Sequence, residues 1–297
     1  MQLTIDDIVQ ANQRLVAEFD SRSKSYGLNQ KARDYQLIAS ITTTPDRIEA
    51  CAYVADLILR QTLKADKVIL WLGDESFSQR ELPGAFENLR DRGLEIEYVP
   101  DIGPHTKYYY AMQRYPDDLV CVFDDDVIYS LETLANLVAS WQSFPHAVSA
   151  MLAHRILTTD GGLLPYDQWE QRTEITGEPR FDLFVTNVGG ALYPPRLLPD
   201  ETLNAEKIRE LCLFADDVWL KAMELMAEIP VVVTQESLSQ LFPPVGGTQD
   251  SALFHVNVGD SRNDQYLGAV FDFYHLRNEY VLEMIQRGVY ETDKPVS

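Results

Sequence analysis

The chain has 297 residues, 46 of them acidic and 25 basic, for a formal net charge of −21. With 45% apolar residues it can bury a large core, which excludes disorder as the dominant state. Phosphate backbones are bound by clustered Lys and Arg, and no basic run occurs, so neither nucleic acid nor an anionic membrane surface is an expected partner.

In chain order, residues 1–34 read as a helical extension. Ile5, Ile8, Val9, Leu15, Val16 and Phe19 fall at roughly helical spacing, and Ser21–Lys31, with Gly27 and Asn29, reads as a break. The N-terminus lacks the basic start and apolar core of a signal peptide. The longest apolar run, Ala50–Ala55, is far below the ~20 residues of a membrane span. Cys51, Cys121 and Cys212 are too scattered for a disulfide framework or a zinc motif, so free thiols and a cytoplasmic location are expected.

From Tyr35 an alternation begins. Strands are predicted at Gln36–Ile41, Lys67–Leu72, Leu94–Val99 and Leu119–Phe123, and helices at Arg47–Thr62 and Lys107–Tyr115. A third helix is expected to open at Ser130 as its N-cap, with Leu131, Leu134, Ala135, Val138 and Trp141 on one face. Four rounds of strand, loop and helix imply an α/β domain with a mostly parallel, Rossmann-like sheet covered by helices on both faces. Ligands of such sheets sit at the carboxyl ends of the strands. That places Thr42–Arg47, Asp74, Asp101–Lys107 and Asp124–Asp126 around one crevice. Further on, Pro145–His154 reads as a strand, 158–182 as a polar loop long enough for a lid over an acceptor, Asp216–Met226 as a helix, Pro230–Thr234 as a strand and Gln265–Arg287 as one helix. With no linker between the halves, one domain over 35–297 is expected, its first half about 35–130 and its second about 131–297.

Asp124-Asp125-Asp126 is the strongest local signal. Three carboxylates after a buried strand repel one another unless something cationic neutralises them. Mg²⁺ or Mn²⁺ suits this, because a hard cation takes one or two carboxylates and completes its shell with phosphate oxygens and water. The alternative is a solvated acidic turn. Strand alternation would aim Asp124 and Asp126 to one side and Asp125 to the other. No Gly-x-Gly-x-x-Gly, no phosphate loop and no Gly-x-Ser-x-Gly elbow occurs.

Five pieces in order carry a resemblance: Thr42–Ile48, Asp101–Lys107, Asp124–Tyr129, Asn187–Pro195 and Ala215–Lys221. Together they resemble nucleotide-sugar glycosyltransferases of the GT-A fold, nearest to bacterial family-2-like enzymes of surface polysaccharide synthesis. The resemblance implies a UDP-sugar donor, a saccharide or related hydroxyl acceptor, and a Mn²⁺ or Mg²⁺ cofactor. Asp124 and Asp126 match the ends of the DxD motif, the last on the metal and the first on ribose or metal, with His255 or Asp264 as a further ligand. Thr42, Thr43, Arg47 and Asp74 would hold the nucleoside, Lys107 would neutralise phosphate, and Asp125 belongs to the same donor site. Asn187, Gly189 and Gly190 would meet the sugar, the glycines by close backbone approach or as a tight turn. Asp217, with Asp216 next, matches the general base of inverting enzymes, although carboxylates at a helix start also cap it. Two other functions remain open: a sugar-nucleotide nucleotidyltransferase, disfavoured because the Thr42–Arg47 loop is not Gly-rich, and a non-catalytic carbohydrate-binding protein on a degenerate transferase fold.

Overall fold

The computed structural model describes residues 27–160, 162–236, 242–245 and 262–290. The expected N-terminal helix lies outside the described residues up to position 26, and 27–34 contains no helix. Strands are β1 (Leu37–Thr43), β2 (Lys67–Gly73), β3 (Leu94–Val99), β4 (Leu119–Phe123), β5 (Val148–Ala150), β6 (Ala153–Arg155), β7 (Thr158–Thr159), β8 (Gly162–Leu163), β9 (Leu183–Val185), β10 (Ala191–Tyr193) and β11 (Val231–Val233). Helices are α1 (Ile48–Leu59), α2 (Ala85–Asp91), α3 (Thr106–Arg114), α4 (Thr133–Ser143), α5 (Ala205–Leu211), α6 (Asp216–Met226), α7 (Arg262–Phe273) and α8 (Glu279–Arg287).

One seven-stranded sheet, in the order β11-β5-β10-β4-β1-β2-β3, forms the centre of a single α/β domain. β2 and β4 carry unbroken apolar runs, Val68–Leu72 and Leu119–Phe123, because both faces are covered there, whereas the edge strand β3 alternates Glu95 and Glu97 with apolar residues. Alternate residues serve opposite faces. Ile38, Ile69, Trp71, Val120 and Val122 pack toward α3, α6 and α7. Leu37, Ala39, Ile41, Leu70, Cys121 and Phe123 pack toward α1, α2 and α4. Truncating one of them, such as Leu70, to Ala would cost about 2–5 kcal/mol.

The sheet is mostly parallel, as expected, with one departure. β10 runs antiparallel between β4 and β5, pairing Leu192 with Cys121 and with Ser149. Other boundaries also moved. Ser130 does not cap α4: its Oγ accepts the Glu132 N–H (3.2 Å) and its carbonyl accepts the Thr133 N–H, so it closes a turn before the helix. The expected C-terminal helix is two helices, broken where His275 takes φ 57° and the Asn278 side chain caps α8 through the Val281 N–H. Part of the 158–182 segment is packed against the domain. Trp169 and Phe181 are buried, and the Arg155 and Glu170 backbones pair there. Cys51, Cys121 and Cys212 are buried free thiols. Among the described residues no helix is long and apolar enough to cross a membrane.

Candidate active site

The chain passes from β1 outward to β2 and β3, then returns to β4 on the other side of β1. A crevice opens at such a switch point, beyond the carboxyl ends of the two diverging strands. Ile41 lies opposite Phe123 in the ladder, so Asp124–Asp125 leave β4 beside Thr42–Thr43, which end β1 still paired with β2. Thr43 donates its hydroxyl to Asp125 Oδ2 at 2.5 Å. Arg47, one turn further at the start of α1, forks across two carboxylates: Nη1 to Asp125 Oδ1 at 2.9 Å and Nη2 to Asp126 Oδ2 at 2.7 Å. Burial pushes the Asp125 carboxyl up to about 6, against the opposing pull of Arg47 and Thr43.

Asp124 turns elsewhere, so strand alternation does not describe the triad. β4 ends at Phe123, the chain turns, and Asp125 and Asp126 share Arg47 while Asp124 Oδ1 meets Lys107 Nζ at 2.6 Å. Lys107, buried on the first turn of α3, also reaches Asp216 Oδ2 at 2.8 Å. One ammonium therefore joins the acids after β4 to the acids that open α6. Burial alone would lower the Lys107 pKa, but Asp124, Asp216 and Asp217 together hold it above the ordinary lysine range.

Asn187 completes the bridge. It sits in the turn between β9 and β10, which the antiparallel strand carries alongside β4. Its Nδ2 donates to Asp216 Oδ2 at 3.0 Å and Asp217 Oδ1 at 2.6 Å, and its backbone N–H to Asp217 Oδ1 at 3.3 Å. The two neighbouring carboxyls are driven apart. Burial would raise Asp216, yet Lys107, His105 and the Asn187 amide outweigh it and hold it below the usual range. Burial and the charge of Asp216 raise Asp217 well above it. Asp217 keeps a partly open face, and its Oδ2 makes no hydrogen bond among the described residues.

Several expected residues behave differently. Thr42 donates its hydroxyl to the Trp71 carbonyl (2.9 Å), so it serves the β1–β2 ladder. Asp74 stands exposed just past the end of β2, its N–H bonded to the Val99 carbonyl. Gly189 and Gly190 are buried, and a Cβ at Gly189 would lie 2.7 Å from the Leu152 Cβ. One at Gly190, where φ is +86°, would lie 3.1 Å from the Phe123 ring, so of their two readings the tight packed turn accounts for both. Asp264 accepts the Tyr166 N–H at 2.8 Å. His255 lies outside the described residues.

Sequence reasoning missed His105. Its ring is fully buried, with Nδ1 2.8 Å from the Tyr108 hydroxyl and Nε2 2.7 Å from the Cys212 carbonyl, tying the start of α3 to the turn before α6. Burial lowers its pKa to about 4, so it is neutral at pH 7. Its place beside Gly103-Pro104 was visible, but the partner 107 residues away had no sequence signal.

Among the described residues no group of three or more His, Cys, Asp or Glu is disposed to hold a metal ion. Asp124 and Asp126 nonetheless fit Mg²⁺ or Mn²⁺ as hard donors, because such ions are held by one or two carboxylates together with substrate phosphates. The charge count agrees. Among the described residues Arg47 pairs with Asp125 and Asp126, and Lys107 with Asp124 and Asp216, so two cations are shared by four carboxylates.

No protein-family model matches the chain, and no curated protein matches it by sequence. Solved structures do match in shape. A mannosyltransferase from Pyrobaculum calidifontis, in complex with GDP-Man and Mn²⁺, aligns over 94% of this chain and 76% of its own, at 14% identity and a TM-score of 0.50. S. aureus TarS with UDP-GlcNAc aligns over 70% and 57%, at 12% identity and a TM-score of 0.42. A 4-diphosphocytidyl-2C-methyl-D-erythritol synthase aligns over 60% and 86%, at 13% identity and a TM-score of 0.36. At these identities the likeness is one of fold. The chain has a GT-A-like, Rossmann-type nucleotide-binding architecture, with two acidic clusters joined by one lysine at the switch point of its sheet.

Proposed function

We propose that the protein is a metal-dependent glycosyltransferase that moves a sugar from a nucleotide donor, a UDP-sugar, to a hydroxyl of a saccharide, with inversion. The observation that carries this reading is the pair of acidic clusters held on either side of Lys107. Direct displacement needs anion stabilisation where a diphosphate leaves and a base where a hydroxyl attacks. Arg47 and Lys107 offer cationic donors at the first place, with Thr43 positioning Asp125 there. A divalent cation on Asp124 and Asp126, when bound, supplies Lewis-acid neutralisation of the departing diphosphate.

Asp217 is the base in this reading. Asp216 is consumed by Lys107 and Asn187 and held ionised, so its role is to position and to keep the Asp217 carboxyl raised. With its carboxyl raised and one oxygen open, Asp217 once ionised is a stronger base than an ordinary aspartate. The acceptor oxygen bonds to the anomeric carbon, its proton passes to Asp217, and the bond to the diphosphate breaks with the electron pair leaving on phosphate oxygen. We assign donor binding to about 35–130, acceptor binding to about 131–297, and an appended role to 1–34.

The test is a thermal-shift panel of nucleoside diphosphates and nucleotide sugars, with and without Mn²⁺, on wild type and Asp126→Ala, followed by product analysis. A ligand at 100 times its Kd adds ~2.7 kcal/mol of stability. The expected result is a Mn²⁺-dependent shift with one nucleotide, absent in Asp126→Ala, and release of a nucleoside diphosphate. Pyrophosphate release from a nucleoside triphosphate would instead mean a nucleotidyltransferase. Unchanged binding and transfer in Asp126→Ala would sink the metal assignment.

A further inference from the structure

Asp216 and Asp217 open α6, yet α6 does not itself fix where that end sits. Ala215 is its N-cap, and among the described residues no side chain caps the helix. The start of α3 is anchored to the sheet instead. The Ser40 hydroxyl of β1 donates to the Lys107 carbonyl, and the Trp71 indole N–H of β2 donates to Ser40 Oγ at 2.8 Å. The turn before α6 lies directly on the turn before α3: a Cβ at Gly103, where φ is +64°, would stand 2.8 Å from the Leu213 carbonyl oxygen.

His105 crosses that contact, and its partners dictate which nitrogen carries the proton. A carbonyl oxygen only accepts, so Nε2, 2.7 Å from the Cys212 oxygen, is the protonated nitrogen. Nδ1 then accepts from the Tyr108 hydroxyl at 2.8 Å. Burial keeps the ring neutral at pH 7, the state in which both bonds form. The same Cys212 carbonyl accepts the Ala215 N–H at 3.2 Å, closing the turn from which Asp216 starts. Two residues after His105, the Lys107 ammonium reaches Asp216 at 2.8 Å. α6 is thus held to α3 at two points, the stiff imidazole on Cys212 and the flexible lysine stem on Asp216. One flexible contact leaves the helix free to rotate about it, and the rigid second contact removes that freedom.

We propose that His105 is a positioning residue: its Nε2–H bond to the Cys212 carbonyl sets the angle at which α6 presents Asp216 to Lys107 and Asn187, and Asp217 to the acceptor. The effect on transfer rests on the glycosyltransferase reading; the tie itself does not. The experiment compares wild type, His105→Met, His105→Gln and Tyr108→Phe, with near-ultraviolet circular dichroism to confirm folding. Gln and Met have the same length, but only Gln can donate to Cys212, so a space-filling role would not favour Gln. Long-range proton–nitrogen NMR reads the His105 tautomer, and carbon-detected NMR reads the Asp216 and Asp217 carboxyl signals at pH 7. We expect a wild-type ring protonated at Nε2, and loss of that single tautomer in Tyr108→Phe. His105→Met should displace both carboxyl signals and lower kcat by ~10- to 100-fold with donor KM unchanged, and His105→Gln should recover most of both. A wild-type ring protonated at Nδ1, unmoved carboxyl signals in a folded His105→Met protein, or equal behaviour of Met and Gln would overturn the proposal. Carboxyl signals displaced by Met and restored by Gln, in a protein whose wild type transfers no sugar, would support the tie and overturn the transferase reading alone.

Discussion

Replacing Lys107 by Met removes the ammonium shared by the two acidic clusters while keeping an unbranched side chain of similar length. Its ammonium lies 2.6 Å from Asp124 and 2.8 Å from Asp216, and its side chain is only 7% exposed. Removing one partner of a buried pair leaves an uncompensated charge and costs ~3–5 kcal/mol. For a chain of this size each kcal/mol is worth ~2 °C in Tm, so a fall of ~6–10 °C is expected at pH 7.5. The loss has a pH signature. In the wild type, Asp216 is held below its unfolded value, so it contributes stability above an unfolded pKa of ~3.9 that is lost as pH falls through its folded value. In the variant burial dominates and the sign reverses: the folded carboxyl rises above ~3.9, and stability falls as pH climbs through that interval. The gap between variant and wild type should therefore narrow between pH 7.5 and pH 5. Urea denaturation at the two pH values measures it. Lys67→Met is the control, because its partly exposed pair with Glu95 should cost less than ~1 kcal/mol. A Lys107→Met penalty below ~1 kcal/mol, or one equal at both pH values, would refute the bridge as the organising charge of the site.

Four further outcomes follow from the geometry. Asp217→Asn should cut transfer by ~10²–10⁴-fold while leaving the nucleotide thermal shift in place, and equal loss of both would argue for a structural role. Asp125, raised to about 6, binds its proton more tightly folded than unfolded, so wild-type stability declines as pH rises from ~4 to ~6; denaturation of Asp125→Asn should show that component removed. Gly190→Ala forces a side chain into φ +86° and against Phe123, with an expected loss of ~1–3 kcal/mol in chemical denaturation. His105→Leu strands the Tyr108 hydroxyl and the Cys212 carbonyl in the core at ~1–3 kcal/mol, and His105→Gln should recover part of the stability by donating again to Cys212.

The strands of the first half were legible by two different signals: Leu119–Phe123, buried throughout, is a continuous apolar run, and the edge strand Leu94–Val99 alternates Glu95 and Glu97 with Ile96 and Tyr98; both hold to the residue. The direction of Ala191–Tyr193 was not, since a three-residue apolar strand between parallel neighbours carries no mark of its polarity. Asp124–Asp126 and Asp216–Asp217 were legible as acidic clusters at strand and helix ends. What neutralises them was not. A cation was required by electrostatics alone, and the structure supplies Arg47 and Lys107, separated from their partners by 78 and 17 positions. Asn187 stood out for its neighbouring glycines, yet its amide serves two carboxylates 29 and 30 residues on, a tie that depends on tertiary packing.

The antiparallel strand explains why those carboxylates meet at all. A purely parallel sheet would send the chain from β4 to a helix and away, leaving the acids of β4 alone at the switch point. Inserting β10 against β4 places Leu192 beside Cys121 and brings the β9–β10 turn, with Asn187 in it, over the carboxyl end of β4. The same turn needs Gly189 and Gly190, because Leu152 and Phe123 fill the space a side chain would take. α6 then docks its N-terminus where Asn187 and Lys107 can hold Asp216 from two sides. Asp217, next on the helix, receives the repulsion of a fixed negative neighbour and rises. A substitution that loosens the turn without touching an acid, such as Gly189→Ala, should therefore raise the Asp217 pKa further, because the Asn187 donors that hold it down are withdrawn. Carbon-detected NMR of the carboxyl carbons would show that shift, and an unchanged Asp217 titration in a folded Gly189→Ala protein would mean that the turn does not set the proton affinity of the site.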